Sequence, residues 1–281
     1  MPITRFAPSP TGYLHLGHAY AAIFARDAAQ GGNFLLRIED IDPTRCKPEF
    51  AAAIEEDLGW LGLTWPQPVR RQSDHTADYA AALGLLRQRH LLYPCFCTRG
   101  DIMRDAQRAA SAPHQDDDIL IYPGTCRSLS LSERADRLAE GMAATWRLDV
   151  AEAMRQVGVL TWHDRSQGVV TAMPQMFGDV VLARKDIQNS YHLSVTVDDH
   201  LQNVGLVTRG EDLFASTHIH RLLQALLGYA TPDYHHHPVI TDPQGRRYAK
   251  RDQSVTLRAW HESGLSAWDV IEKLPRSAYS K

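Results

Sequence analysis

The chain has 281 residues, 44% hydrophobic and 22% charged, the composition of an ordinary globular protein able to bury a sizeable core. Its 30 Lys+Arg and 33 Asp+Glu leave a net charge of −3, which argues against a general polyanion binder while allowing a local basic face. No apolar run approaches the roughly 20 residues of a membrane-spanning helix, and MPITRFAPSP lacks the cationic and apolar regions of a signal peptide, so a cytoplasmic protein with no membrane partner is expected.

ITRFAPSP predicts a short strand that ends at prolines; TGYLHLG turns, and HAYAAIFARDAAQ predicts a helix stopped by Gly31 and Gly32. NFLLRIED predicts a second buried strand. Phe50, Ile54, Leu58 and Leu61 recur at helical spacing between Lys47 and Leu63, and a further helix is expected around Ala77 to Leu92. Strand, helix, strand alternation of this kind predicts a parallel sheet with crossovers. The pattern breaks near YPCFCTRG. As far as about Arg184 the chain mixes an acidic loop, SAPHQDDD, a YPGT turn and strand-like pieces in TWRLDV and GVLTWHD, which marks an inserted domain. Alternation resumes in YHLSVTVDDHLQNVGLVTRGEDL, read as a strand, a cap or turn and another strand, before an apolar helix, THIHRLLQALLGY. A loop-rich and then briefly helical tail follows. The expected fold is therefore α/β: a Rossmann-type parallel-sheet catalytic domain in two halves, 1–93 and 189–281, around a small inserted α+β domain at 94–188 that carries the cysteines.

His15 and His18 flank Gly17 where a helix opens after a strand, a place with unpaired N–H groups and partial positive charge that suits a phosphate. Pro8, Pro10 and Gly12 shape the turn before it. The alternative is purely structural, with His15 packed in the turn and His18 capping the helix; a metal is disfavoured because no acidic ligand accompanies the pair. Cys95, Cys97 and Cys126 could form most of a tetrahedral zinc site, or remain free thiols in a reducing compartment. Cys46 reads as a small buried hydrophobe, and His235, His236 and His237, alternating along an extended chain, read as structural.

RFAPSPTGYLHLGHAYAA resembles the first signature of class I aminoacyl-tRNA synthetases in the form carried by glutamyl enzymes. The resemblance continues, in order, through LLRIEDIDPTR, SYHLSVTVDDHLQNVGLVTRGEDL and GRRYAKR. It implies that His15, Gly17 and His18 contact ATP, and that Lys250 handles the leaving phosphates with Mg²⁺ as counter-ion. The second signature departs from the usual Lys-Met-Ser-Lys-Ser by Arg247 for the first lysine and Ala249 for the serine. The resemblance also implies a pocket for L-glutamate at Arg5, Ala7, Ser9, Glu39, Tyr191 and Arg209, in which Glu39 reads the α-amino group and the two arginines favour an acid over an amide. It adds Tyr122 to the three cysteines as a fourth Zn²⁺ ligand.

Full-length glutamyl enzymes carry a large helical anticodon-binding half after the second signature, whereas only residues 252–281 follow Arg251 here. This resembles the truncated glutamyl-Q tRNA(Asp) synthetases, which lack that half. The implied function is ATP-dependent activation of glutamate without tRNA, then transfer to queuosine in the anticodon stem-loop of tRNA(Asp), by a monomer. Arg99, Arg104 and Arg127 of the insert are candidates for phosphate contacts. Two rivals stay open: a truncated enzyme charging a tRNA 3′ end, and a small-molecule nucleotidyltransferase or ligase of the same superfamily.

Overall fold

A computed structural model describes residues 1–103, 121–185, 189–241 and 255–275. The strand β1 (Thr4–Phe6) ends where the proline-rich loop begins, and α1 (Leu16–Ala28) carries Ala19, Ile23 and other small or apolar side chains on its buried face. The second strand, β2 (Phe34–Ile38), runs parallel to β1, with Thr4 opposite Phe34 and Phe6 opposite Leu36. After α2 (Pro48–Trp60), β3 (Arg70–Arg71) adds to the far edge of β2 in parallel, and α3 (Thr76–Gln88) follows.

The other half of the sheet comes from β9 (Leu206–Gly210) and β10 (Asp233–His237), parallel over five residues and joined by α7 (Ser216–Leu227). Backbone N–H groups of Gly205 and Leu206 donate to the Ile3 carbonyl at 3.0 and 3.2 Å, which brings β9 alongside β1. The parallel strands thus run β3-β2-β1-β9-β10 in space, the doubly wound order whose ligand crevice lies where the order reverses, between β1 and β9.

Between the halves, β4 (Leu92–Cys95), β5 (Thr145–Leu148) and β8 (Val181–Ala183) form a separate antiparallel sheet in the order β4-β5-β8. The hairpin β6 (Thr161–Asp164) and β7 (Gly168–Thr171) instead extends the main sheet, with β6 parallel to β10 at Asp164 and Tyr234. Two helices of this stretch, α4 (Leu131–Ala139) and α5 (Val150–Val157), went unread in the sequence. A signal for α4 was present: Ser130 and Glu133 form a reciprocal capping box. The acidic loop SAPHQDDD and Arg104 lie outside the described residues.

One expectation is overturned. YHLSVTV is not a strand but the start of helix α6 (Tyr191–Leu201). The alternation of Leu193, Val195 and Val197 imitates period two, yet every residue from Leu193 to Asp199 is buried, so no polar face was needed to betray a helix. The Ser190 hydroxyl caps it, and the Ser194 and Thr196 hydroxyls donate to carbonyls four residues back at 2.7 Å. Leu193 and Val197 pack with Leu86, Leu148, Ile219 and Leu222 in one core, while Leu14, Ile23, Ile38, Ile54 and Leu58 form another with α8 (Leu257–Glu262) and α9 (Ala267–Ile271). Among the described residues, no helix is long and apolar enough to cross a membrane.

Candidate active site

The amino end of α1 and the carboxyl ends of β1, β2 and β9 converge on the switch point. His15 is the N-cap of α1: its Nδ1 accepts from the Gly17 N–H at 3.1 Å, while the Nδ1 of His18 accepts from the His15 N–H at 3.2 Å. The two rings lie 3.8 Å apart between centroids. Capping thus engages one nitrogen of each ring and fixes both imidazoles at the positive end of the helix dipole. The structural and the phosphate readings of this pair are compatible, because they use different ring atoms. Leu257 N–H donates to the Leu14 carbonyl at 2.8 Å and Thr256 bridges to His15, so the segment after residues 242–254 returns to this turn. Lys250, with Arg247 and Ala249, lies outside the described residues.

Glu39 directly follows β2, and its N–H donates to the Pro8 carbonyl at 3.0 Å, which sets it against the loop holding Ala7 and Ser9. Beneath it sits the fully buried Arg37, whose guanidinium donates to Glu39 at 3.1 Å, to Asp199 at 2.8 Å and to Gln202 at 3.0 Å. Arg5 donates to Asp199 at 3.0 and 3.4 Å and to the Thr208 carbonyl at 2.8 Å. Asp198 in turn accepts from Arg70 and Gln72 at 2.8 Å and from the Tyr79 hydroxyl at 2.9 Å. Burial pushes the Glu39 carboxyl above its ordinary range, against the pull of Arg37 and Arg5. Burial works against the Asp199 carboxylate too, but Arg5 and Arg37 hold it below its ordinary value.

Arg209, on β9 opposite His236 of β10, has different company. It donates through Nε to His236 at 3.2 Å, through one terminal nitrogen to His220 at 3.1 Å and to the Tyr191 hydroxyl at 3.5 Å, and through the other to the Thr217 hydroxyl. His220 continues to His192 at 3.1 Å. Burial, helped by the Arg209 charge, lowers the pKa of His192 and His236 to about 4 and that of His220 well below its ordinary value, so all three rings are neutral near pH 7. Among the described residues no carboxylate touches Arg209.

A cavity of about 440 Å³ opens over these groups, lined by Ser9, Glu39, Tyr191, His192 and, toward its rim, Asp42 and Arg184. Arg209 reaches this lining through Tyr191, and Arg5 through Asp199 and Arg37 to Glu39. Cys46 is only partly buried: it lines the cavity and its thiol lies 3.8 Å from the Glu39 carbonyl, which corrects its reading as a buried hydrophobe.

The cysteine set lies apart from this cavity, at the end of β4 and on the turn Thr125–Ser128. The sulfurs of Cys95, Cys97 and Cys126 all lie within 4.8 Å of one another, with Cys97 and Cys126 at 3.5 Å. The Tyr122 oxygen lies 3.8 Å from the Cys97 sulfur and accepts from the Cys126 N–H at 2.7 Å. Tetrahedral zinc with bonds of about 2.3 Å to sulfur needs ligand atoms a little under 4 Å apart, so three sulfurs and a phenol oxygen here could hold a metal. Arg127 is spoken for by Asp179 at 3.0 Å, whereas Arg99 is exposed.

Sequence reasoning missed His192 in the cavity wall and the polar layer behind it: Arg37, Asp198, Asp199, His220 and His236. The signal was the pair of acids inside the apolar run SVTVDD, which has no place in a buried segment unless cations meet it.

Comparison with known proteins fits this geometry. A family model described as tRNA synthetases class I (E and Q), catalytic domain, matches residues 3–280. A glutamyl-Q tRNA(Asp) synthetase of Rhodobacter capsulatus is 48% identical over 95% of this chain and 98% of its own length. A glutamate–tRNA ligase of Coprothermobacter proteolyticus is 37% identical over 93% of this chain and 55% of its own. Among solved structures, a glutamate tRNA ligase from Elizabethkingia meningosepticum in complex with its amino acid superposes with a TM-score of 0.74 at 28% identity, covering 89% of this chain. The chain spans about half that protein's length, 52%. With the parallel sheet, the capped His15 turn and a match over nearly its whole length, the chain belongs to the class I tRNA synthetases (E and Q), catalytic-domain family, and is a ligase of that family.

Proposed function

We propose that the chain activates L-glutamate with ATP, without tRNA, and transfers the glutamyl group to queuosine in the anticodon loop of tRNA(Asp). The observation that carries the glutamate part is Arg209, a buried cation that among the described residues meets only neutral side chains, one of them the cavity-lining Tyr191. A buried charge is costly unless paired, so this arrangement suits a ligand that brings its own carboxylate. Glu39 would take the α-ammonium, with Ala7, Ser9 and Tyr191 shaping the space between.

The free α-carboxylate then attacks the α-phosphate of ATP, forming glutamyl adenylate and releasing pyrophosphate. His15 and His18, held by their caps at a helix start, donate to the phosphates, Gly17 lets the nucleotide come close, and Lys250 takes the leaving charge; Mg²⁺, when bound to the triphosphate, would supply further neutralisation. In the second step a queuosine hydroxyl attacks the activated carbonyl; the new C–O ester bond forms, the acyl–phosphate C–O bond breaks, and the hydroxyl proton passes to the departing AMP phosphate or to water. The queuosine acceptor is supported by the near end-to-end likeness to the Rhodobacter capsulatus protein. Cys95, Cys97, Tyr122 and Cys126 would hold Zn²⁺, whose part is a structural cross-link between β4 and the turn behind it, within an insert at 94–188 whose exposed Arg99 would contact a tRNA phosphate. We place the protein in the cytoplasm as a monomer.

ATP–pyrophosphate exchange without tRNA, run in parallel with glutamate, glutamine and aspartate, tests the first step: exchange with glutamate alone is expected. Acylation of queuosine-containing tRNA(Asp), queuosine-free tRNA(Asp) and tRNA(Glu) tests the second. Activity on tRNA(Glu) alone would overturn the acceptor.

A further inference from the structure

Asp164 is fully buried at the end of β6, on the element that extends the main sheet past β10. One of its carboxylate oxygens accepts from the Ser166 N–H and hydroxyl and from the Gln167 N–H, which locks it in place. The other oxygen meets His236 Nδ1 at 2.5 Å, and the opposite edge of that imidazole, Nε2, meets Arg209 Nε at 3.2 Å. An arginine can only donate and an ionised carboxylate can only accept. Of the three forms of the ring, only the neutral one with its proton on Nδ1 satisfies both neighbours. An imidazolium would aim an N–H at the guanidinium, and the other neutral tautomer would do so while also turning a lone pair on the carboxylate.

We propose that Asp164 and His236 are positioning residues for substrate specificity: Asp164 holds the proton on His236 Nδ1, and the Nε2 lone pair so presented fixes the plane of the Arg209 guanidinium that reads the substrate's side-chain carboxylate. This rests on the proposed glutamate pocket. Asp164 orients Arg209 without neutralising it, because an uncharged ring stands between them. Had the carboxylate touched Arg209 directly, the ion pair would have been complete and the pull on a substrate anion weaker. The His220–His192 pair repeats the device on a terminal nitrogen, where His220 Nδ1 accepts from Arg209 and its Nε2–H donates to His192. Two faces of the guanidinium fork are thus fixed by neutral acceptors, while its charge is left for the ligand.

The test uses the full chain in glutamate-dependent ATP–pyrophosphate exchange, with glutamine in parallel, and variants His236→Phe, His236→Gln and Asp164→Asn. Loss of one hydrogen bond to a charged group predicts that His236→Phe raises the KM for glutamate about 10- to 100-fold and narrows the preference over glutamine, with the KM for ATP unchanged. His236→Gln, whose side-chain oxygen can accept in place of Nε2, should recover most of the loss, which a merely space-filling role would not. Nitrogen-15 spectra of the wild type near pH 7 should place the His236 proton on Nδ1, and this readout needs no substrate. A KM for glutamate within twofold of wild type in His236→Phe, no recovery in His236→Gln, or a proton on Nε2 would each overturn the relay. A wild type inactive with glutamate would fell the proposed function instead, and the tautomer alone would then decide whether the relay exists.

Discussion

Arg5 and Arg209 stand on neighbouring parallel strands and both are buried, yet the protein treats them oppositely. Around Arg5 it supplies its own anions: Asp199 grips the guanidinium twice, and Arg37 ties Asp199 to Glu39. Around Arg209 it supplies imidazoles, a phenol and a hydroxyl, none of them charged near pH 7. The first arrangement is a closed ionic scaffold, whose energy is spent on holding β1, β2 and α6 together. The second, among the described residues, is a cation without a carboxylate, which the proposed function completes with the substrate anion. Two arginines that look alike in sequence thus divide into one held by carboxylates and one held by neutral groups, the one to which the proposed function gives the substrate's carboxylate.

The largest effect should come from breaking the closed scaffold. Arg37→Met keeps most of the volume but strands Glu39, Asp198 and Asp199 in the interior without their shared cation. Removing one partner of a buried ionic cluster costs about 3–5 kcal/mol, so denaturant unfolding should show a loss of that order, with or without substrate.

Removing the second arginine should do the reverse. Arg209→Leu removes a charge that has no counter-ion among the described residues, so it should lower stability far less than Arg37→Met. Exchange activity with glutamate should fall by the about 2–5 kcal/mol lost when a buried charged contact is cut, roughly 30- to 4,000-fold. Glutamate should raise the Tm of the wild type and not of this variant. Near-normal exchange in Arg209→Leu would remove the residue from the pocket.

In the proposed function the cysteine set is the converse of Arg209, a group of donors that would take a cation. Burial pushes the Cys97 thiol up to about 12, so a bound dication would favour its thiolate, whereas hydrogen bonds from the Phe96 N–H, Tyr122 and Cys97 outweigh burial and lower the Cys126 thiol. Protein purified without added metal should carry one zinc per chain, and Cys126→Ser should carry almost none. Occupancy at 100 times the dissociation constant is worth about 2.7 kcal/mol, so chelation should lower the Tm by about 5 °C or more.

This contrast explains how far the sequence could be read. The capped turn at His15, the strands bearing Arg5, Glu39 and Arg209, and the three cysteines follow from local signals, since each lies at an element boundary marked by proline, glycine or a periodic apolar run. Helix α6 was misread because a segment buried on all sides carries no periodicity to distinguish 3.6 from 2. With α6 misplaced, Asp198 and Asp199 could not be set against Arg5, Arg37 and Arg70, residues more than a hundred positions away for which nothing local supplies a signal. The neutral shell of Arg209 was hidden for the same reason. His236 was correctly read as alternating along a strand, but its role depends on Asp164 from a hairpin that joins the sheet from the other side.

A third kind of buried charge gives the smallest test of the comparison. Asp57, on α2, is almost fully buried, and one of its carboxylate oxygens has no hydrogen-bond partner among the described residues. Burial raises its pKa to about 6, against the weaker pull of Arg258. It has neither the saturated partners of Asp199 nor a place in the cavity that a ligand could fill, so its charge should simply cost stability. The sign follows from linkage: a carboxyl with a folded pKa above its unfolded value of about 3.9 favours the folded state fully only below that value, and loses the contribution as pH rises through about 6. Asp57→Asn removes the ionisation. It should gain about 1–2 kcal/mol at pH 8, a Tm increase of about 2–6 °C, and that gain should vanish by about pH 4, where the wild-type carboxyl is itself protonated. A gain that persists unchanged at pH 4 would mean that packing, not the stranded charge, separates Asp57 from the paired carboxylates.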